Sequence, residues 1–236
     1  MNYKIIKDYK EVERFIKWLP ELEDGQKFYI SLFARKKYGA TQGLKADKGQ
    51  LKRFTASKEQ MINKIKKLEV QLGSYECDGI PVNQDSLVLY ITPNPRDMHK
   101  AGLKTIQELT RFLVEDKKIY NAQSTALNMI QVSGVKKYFD MDIDFKDGKS
   151  CTLSMLYDWL WSNDIINKEA VVGNIVKTRG GFHILVELDK ITDQYKKKWY
   201  NNFTNTKSDI FTVMANNDNM VPFPGCIQSN FSPILL

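Results

Sequence analysis

The chain has 236 residues, 42% of them hydrophobic and 27% charged. That suits a soluble globular protein of one large domain or two tightly joined halves, with no apolar run near the ~20 residues that span a bilayer and a start, Met1 to Lys10, too polar for a signal peptide. A formal charge of +7 and a pI near 9.1 favour a polyanionic partner or substrate, while Cys77, Cys151 and Cys226, with only His99 and His183 beside them, make neither a disulfide framework nor a CxxC zinc pair and fit reduced thiols in a cytoplasm.

Val12, Phe15, Ile16 and Leu19 recur at helical spacing, and Pro20 helps stop that helix. Lys27 to Ala34 is aromatic and β-branched, which predicts a strand. Arg35 to Gln50, rich in Lys and Gly, reads as a loop. Ser57-x-x-Gln60 is a capping box ahead of Met61, Ile65, Leu68 and Leu72, which predicts a second helix. Leu87 to Ile91 is a short strand ended by Pro93-Asn94-Pro95. Arg96, His99 and Lys100 then precede a third helix containing Ile106, Leu109, Phe112 and Leu113; a basic βα junction can hold phosphate at a helix N-terminus, and a plain surface loop reads equally well. Asn121 to Gly134 is the best internal seam, which divides the chain into 1–130 and 131–236.

Tyr138 to Phe145 alternates strictly. Phe139, Met141, Ile143 and Phe145 fall on one side of an extended chain, and Asp140, Asp142 and Asp144 on the other. Aligned carboxylates repel unless a cation sits among them, and hard divalent cations take oxygen ligands. A metal site on a sheet is the functional reading; a solvated acidic edge strand is the bland one. Asp147-Gly148 reads as the closing turn. Leu153, Leu156 and Leu160 predict a helix, Val171 to Val176 and Phe182 to Leu188 two strands, and Tyr195, Trp199 and Phe203 a helix with an aromatic core stripe. The second half thus runs β-α-β-β-α, close to an RRM-like or ferredoxin-like sheet with helices on one face.

Lys177-Thr178-Arg179-Gly180-Gly181-Phe182-His183 is the second informative run. Gly-Gly permits close backbone approach to a ligand, Lys177 and Arg179 flank it, and His183 follows on a strand, on the opposite face from Phe182. A triphosphate cradle is the functional reading.

Phe139-Asp140-Met141-Asp142, then Thr178 to His183, then a later carboxylate, resembles the archaeo-eukaryotic primase superfamily, including the primase-polymerases of plasmids and phages. Gly181-Phe182-His183 takes the place of that family's small-x-His motif, and Pro224-Gly225-Cys226 resembles its Pro-Gly-Thr segment. The resemblance covers Tyr138 to Gly225; over residues 1–130 it rests on αβ organisation alone. It implies an α+β fold in which an N-terminal αβ unit packs against a C-terminal RRM-like antiparallel sheet, with the active site between them. It implies a template-directed nucleotidyltransferase, a DNA primase or polymerase, that joins nucleotides and releases pyrophosphate. Asp140, Asp142 and a third acid would hold two divalent ions, Mg²⁺ or Mn²⁺. Lys177, Thr178, Arg179, Gly180, Gly181 and His183 would bind the triphosphate. Single-stranded DNA template and nucleoside triphosphates are the implied partners, with room for a helicase or other replication proteins, in the cytoplasm of a bacterial, archaeal or phage-infected cell and away from membrane.

For the third acid the sequence offers Glu187, Asp189, Asp193, Asp209 and Asp218. Asp209 precedes a short apolar strand and stands 16 residues before Gly225, so it is preferred to Asp218, whose Asn216-Asn217-Asp218-Asn219 setting has turn composition. Asp144 is an extra acid that could change which pair binds metal. A polymerase-β-like nucleotidyltransferase would carry its Gly-Gly before the aspartates, and a rolling-circle nuclease needs paired histidines. A non-catalytic RRM-like nucleic-acid-binding module is the remaining alternative; it would want solvent-facing aromatics on its strands.

Overall fold

Asp8 starts the first helix, α1 (Tyr9–Trp18): its carboxylate accepts from the backbone N–H of Lys10 and Glu11, and the helix buries Val12 and Phe15. The computed structural model describes residues 1–45, 47–116, 121–146, 148–216 and 218–236, and only the backbone of Lys48 and Asn216. Strand β1 (Gln26–Arg35) pairs antiparallel with β2 (Lys48–Ala56), which closes a loop shorter than the sequence predicts. Helix α2 (Lys58–Lys66) buries Met61 and Ile65 but is shorter than expected, and no capping bond runs from the Ser57 side chain to its backbone. The following segment is drawn away by the N-terminus. Tyr3 N–H donates to Val70 O and Leu72 N–H to Met1 O, which leaves Leu72 41% exposed and off the helix.

Strands β3 (Glu76–Cys77) and β4 (Ile80–Pro81) make a small hairpin. Strand β5 (Leu87–Ile91) then lies antiparallel to β1, and β6 (Arg96–Asp97) pairs with the other end of β1. Asp97 caps α3 (Met98–Val114) through the Lys100 N–H. The predicted seam is largely helical: Asn121 caps α4 (Ala122–Gln131) through the Ser124 N–H, and α4 packs on α3. Its half-buried Ala126, Leu127, Met129 and Ile130 give it a packing face that its polar start conceals.

Strand β7 (Tyr138–Phe145) is the aspartate strand. The turn expected at Asp147-Gly148 falls partly on Asp147, outside the described residues; Gly148 has a left-handed φ of 69°. Thr152 caps α5 (Leu153–Ser162), which buries Leu156 and Leu160. Strand β8 (Ile175–Lys177) starts later than predicted, because 171–174 is held in turns by Val171 N–H to Lys168 O and Asn174 N–H to Val171 O. Strand β9 is Gly181–Glu187. The aromatic helix is split into α6 (Asp193–Lys196) and α7 (Trp199–Asn205), with Trp199 and Phe203 buried as expected. Strands β10 (Phe211–Asn216), β11 (Val221–Pro222) and β12 (Ile234–Leu235) complete the chain.

The fold is mixed α+β, with seven α-helices and antiparallel sheets among the described residues. One sheet runs β11-β5-β1-β2, with β6 on β1; the other runs β10-β7-β9-β8-β12. The C-terminal segment returns to the first sheet: Val221 pairs with Ile91, and Phe223, Cys226 and Ile227 enter the first core beside Phe15, Phe28 and Leu89. The second core holds Met141, Ile143, Leu156, Leu160, Phe182, Ile184, Val186, Trp199 and Phe203, so α5 and α7 cover one face of the second sheet.

The opposite face of that sheet meets the first core through Tyr138, Val176, Leu185 and Leu235. Trp18 stacks on Tyr138 with centroids 5.1 Å apart, and its indole N–H donates to Asn174 Oδ1 at 3.1 Å. Asn94 accepts from the backbone N–H groups of Lys137 and Tyr138 and donates to Tyr138 O, which pins the start of β7. No helix among the described residues is long and apolar enough to cross a membrane.

Candidate active site

Antiparallel register decides which side chains meet, because directly opposed residues share a face. Asp142 opposes His183, Asp140 opposes Leu185 and Asp144 opposes Gly181 on β9; on β10, Met214 opposes Asp142. The aspartates and His183 therefore share the face away from α5 and α7. Near Leu185 that face is packed against the first core. Near Gly181 it opens into a cavity of about 360 Å³ whose other wall belongs to the first sheet.

Of the residues singled out in the sequence, Asp142, Asp144, Thr178, Gly180 and His183 line the cavity. Asp140 does not. It is 3% exposed and turned to His183, whose Nδ1 lies 2.9 and 3.0 Å from its two carboxylate oxygens. His183 Nε2 lies 3.6 Å from Asp142 Oδ1, so the imidazole bridges the two aspartates. Arg179 stands at the rim, its guanidinium 5.1 Å from the centre of the Tyr38 ring and its backbone N–H donating to Gln228 Oε1 at 2.8 Å. Lys177 opposes Phe182, on the helix-covered side, and is exposed.

The two glycines do different things. A Cβ on Gly181 would collide with the carbonyl of Ile143, so Gly181 is required by the close approach of β7 and not by a ligand. A Cβ on Gly180 would sit 3.6 Å from Asp144 Oδ1, an ordinary contact. Asp209 is exposed in the bend before β10 and is not among the cavity residues. Asp218 is ion-paired with the fully buried Arg96 and accepts from Asn94, so the basic βα junction serves an internal salt bridge.

The first-sheet wall was not legible as part of a site. Phe33 and Arg35 alternate along β1 with Leu32 and Ala34, which face the first core, and thereby reach the cavity; Lys37 follows just beyond the strand. Arg35 is 5% exposed; it donates to Tyr90 OH and, from Nη2, to Asp47 Oδ2 at 2.9 Å, while its Nε has no hydrogen-bond partner among the described residues. Phe33 and Tyr90 meet edge to face at 5.6 Å. The signal present in the sequence was the period-two spacing of Phe33 and Arg35, hidden because Arg35 looked like the start of a loop.

The electrostatics follow from burial and crowding. Burial raises the Asp142 carboxyl above the usual range; His183 and Lys37 act against this, and the Asp140 and Asp144 charges reinforce it. For His183, burial acts downward, but the three carboxylates outweigh it and raise the imidazole to about 9, so it is an imidazolium at neutral pH. Burial also raises the Tyr90 phenol well above its usual range, keeping it a neutral donor.

Asp142 and Asp144 suit a divalent cation. They lie side by side on one strand, line an open cavity, and Asp142 carries a charge that burial and like neighbours disfavour. Among the described residues no three His, Cys, Asp or Glu side chains converge as a metal cage. A pair of carboxylates completed by water and phosphate oxygens is the ordinary way proteins hold Mg²⁺. No protein-family model, curated protein or solved structure matches the chain.

Proposed function

We propose that the chain is a template-directed nucleotidyltransferase of the primase-polymerase kind. The observation that carries this reading is the cavity in which Asp142, Asp144 and His183 on one wall face Arg35 and Lys37 on the other. Acidic and basic walls across one cleft are what a cation-bound triphosphate needs. The strand order β10-β7-β9-β8, with α5 between β7 and β8 and with α6 and α7 between β9 and β10, supports an RRM-like second unit with its site against the first.

In this reading Asp142 and Asp144 hold the divalent cation, and Asp140 holds His183. A Mg²⁺ or Mn²⁺ ion held there would supply charge neutralisation for the triphosphate and the pyrophosphate. Arg35, fixed by Asp47 and Tyr90, presents its guanidinium to phosphate oxygens; Lys37 and the rim Arg179 add positive charge. His183 is an imidazolium with Nδ1 engaged by Asp140, so its Nε2–H donates to an anionic oxygen and does not act as a general base. Phe33 and Tyr90 offer apolar surface beside the phosphates, where a base can pack.

One observation favours a second reading, a binding module without catalysis. The β10 side chain opposite Asp142 is Met214, where a third carboxylate would complete a two-ion site. One experiment separates the two: primed and unprimed single-stranded templates with Mg²⁺ or Mn²⁺ and labelled ribo- or deoxyribonucleotides. Incorporation that is lost in Asp142→Asn supports the enzyme. Oligonucleotide binding without incorporation in any combination supports the module.

A further inference from the structure

We propose that a second cavity, between β2 and α4, binds single-stranded nucleic acid along a track continuous with the candidate active site. Its assignment to the template strand rests on the nucleotidyl-transfer reading above. This cavity, about 340 Å³, is lined by Gln50, Lys52, Arg53, Asn121, Gln123 and Ser124, together with Leu51 and Leu127.

The two cavities adjoin. Phe33 lines the first and Gln50 the second, and the two are directly paired across β1 and β2. On α4, Ser124 and Leu127 line the second cavity and Gln131 the first. The spacing 124, 127, 131 is one helix face. From Ser124 to Gln131 the helix rises about 10 Å, close to three stacked nucleotide steps.

A β-bulge decides which cation faces the groove. Pairing shifts between Leu32 and Phe33, so that Ser31 opposes Arg53 while Phe33 opposes Gln50. Ser31 and Phe33 share a face, so Gln50 and Arg53 do too, although they stand three positions apart. In an unbulged strand the residue opposite Ser31 would be Lys52, and Arg53 would point to the other side. The bulge thus places a guanidinium on the groove side, where it donates to Asn128 Oδ1 at 2.8 Å and Ser124 Oγ at 2.7 Å. These partners are neutral, so the positive charge is held in place without being cancelled. Lys52 is exposed, and no carboxylate lines this cavity among the described residues. Arg53 supplies the cation on the groove side; Lys52 opposes Leu32, so it leaves β2 on the other face and adds its charge at the exposed edge of the cavity. A cation among amide and hydroxyl groups recognises a phosphate backbone, and Leu127 offers apolar contact for bases, whereas Leu51 packs on the first core.

The test is fluorescence anisotropy with labelled single-stranded oligonucleotides and a matching duplex, titrated at several salt concentrations, for the wild type, Lys52→Gln, Arg53→Gln and the double variant. Each substitution is expected to weaken single-strand binding roughly five- to tenfold, equally across sequences, and to flatten the salt dependence by about 0.7 in log–log slope. Binding of a fluorescent nucleotide triphosphate with Mg²⁺ should not change. Lys52→Gln guards against misfolding, because Lys52 is exposed and makes no side-chain bond among the described residues. Wild-type affinity and slope in Lys52→Gln and in a folded double variant would overturn the track, as would equal affinity for duplex or no oligonucleotide binding by the wild type. If the wild type incorporates nucleotides while the variants bind normally, only the track falls. If the variants lose binding but the wild type incorporates nothing, the track stands and the nucleotidyl-transfer reading falls.

Discussion

His183 and Asp140 form a buried pair, with Nδ1 2.9 and 3.0 Å from the two carboxylate oxygens. The pair orients the ring so that Nε2 faces Asp142 and the cavity. It also takes Asp140 out of the cavity, so the three aspartates of β7 are divided: Asp140 is paired with a cation of the protein's own, and Asp142 and Asp144 line the cavity.

This division predicts opposite stability effects for two similar substitutions. Asp140→Asn removes the counter-charge of a buried imidazolium and should destabilise the fold by about 1–3 kcal/mol. Asp142→Asn removes a carboxylate whose ionisation burial and like charges already disfavour, so in metal-free buffer its melting temperature should match or exceed that of the wild type. Thermal melts with chelator present check both. Equal losses in the two variants would contradict the division.

The same pair sets a pH dependence. His183 titrates at about 9 in the fold against an ordinary 6.5. A raised pKa stabilises the fold wherever the group is charged in the folded state: the contribution is complete below about pH 6.5 and disappears as pH rises through about 9. Urea midpoints of the wild type and His183→Gln, measured with chelator, should therefore lie furthest apart near pH 6 and converge above pH 9. A gap that widens with pH would mean that the imidazole is neutral in the fold.

Much of the second sheet was legible because period two is a local signal. The alternation in Tyr138 to Phe145 announced both the core face of Met141 and Ile143 and the acidic face opposite, and Phe182 to Leu188 did the same for His183. The opposite wall of the cavity was not legible. It is made by Arg35 and Lys37, which meet the aspartates only because the two sheets pack together, and sequence carries no local trace of that distance. Nor could pattern reveal that Val221 and Phe223 return to the first sheet, or that Asn121 to Gly134 is mostly helix. The Gly180-Gly181 pair stands out in the sequence, but the reason for Gly181 is the Ile143 carbonyl of a strand far away in sequence.

That contrast can be measured. Gly181→Ala places a Cβ against the Ile143 carbonyl and should cost about 1–3 kcal/mol, as overpacking does. Gly180→Ala meets only Asp144 Oδ1 at 3.6 Å, and the left-handed backbone that strains alanine is not required there, so its stability should stay within about 0.5 kcal/mol of the wild type. Denaturant unfolding of both variants decides. If Gly180 proved the sensitive position, the hairpin would be built around the cavity and not around β7.

The third carboxylate is the sharpest test of the site. Asp209 is exposed and does not line the cavity, so Asp209→Asn should leave incorporation and stability unchanged. Asp218 is bound to Arg96, whose side chain is fully buried; Asp218→Ala strands that charge and should destabilise by about 3–5 kcal/mol. Neither acid is among the residues that line the cavity with Asp142. The position that is so placed is Met214, opposite Asp142, half-exposed and lining the cavity. Met214→Asp should therefore add a carboxylate to the face that carries Asp142 and Asp144. Without metal it adds a like charge beside Asp142 and Asp144 and should lower the melting temperature. With Mn²⁺ it adds an oxygen ligand and should raise both the metal-induced shift in melting temperature and the affinity read by calorimetry. Asp209→Asn in the same assay should change neither quantity. A Met214→Asp protein whose Mn²⁺ affinity equals that of the wild type would mean that the cation, if bound, sits away from Asp142.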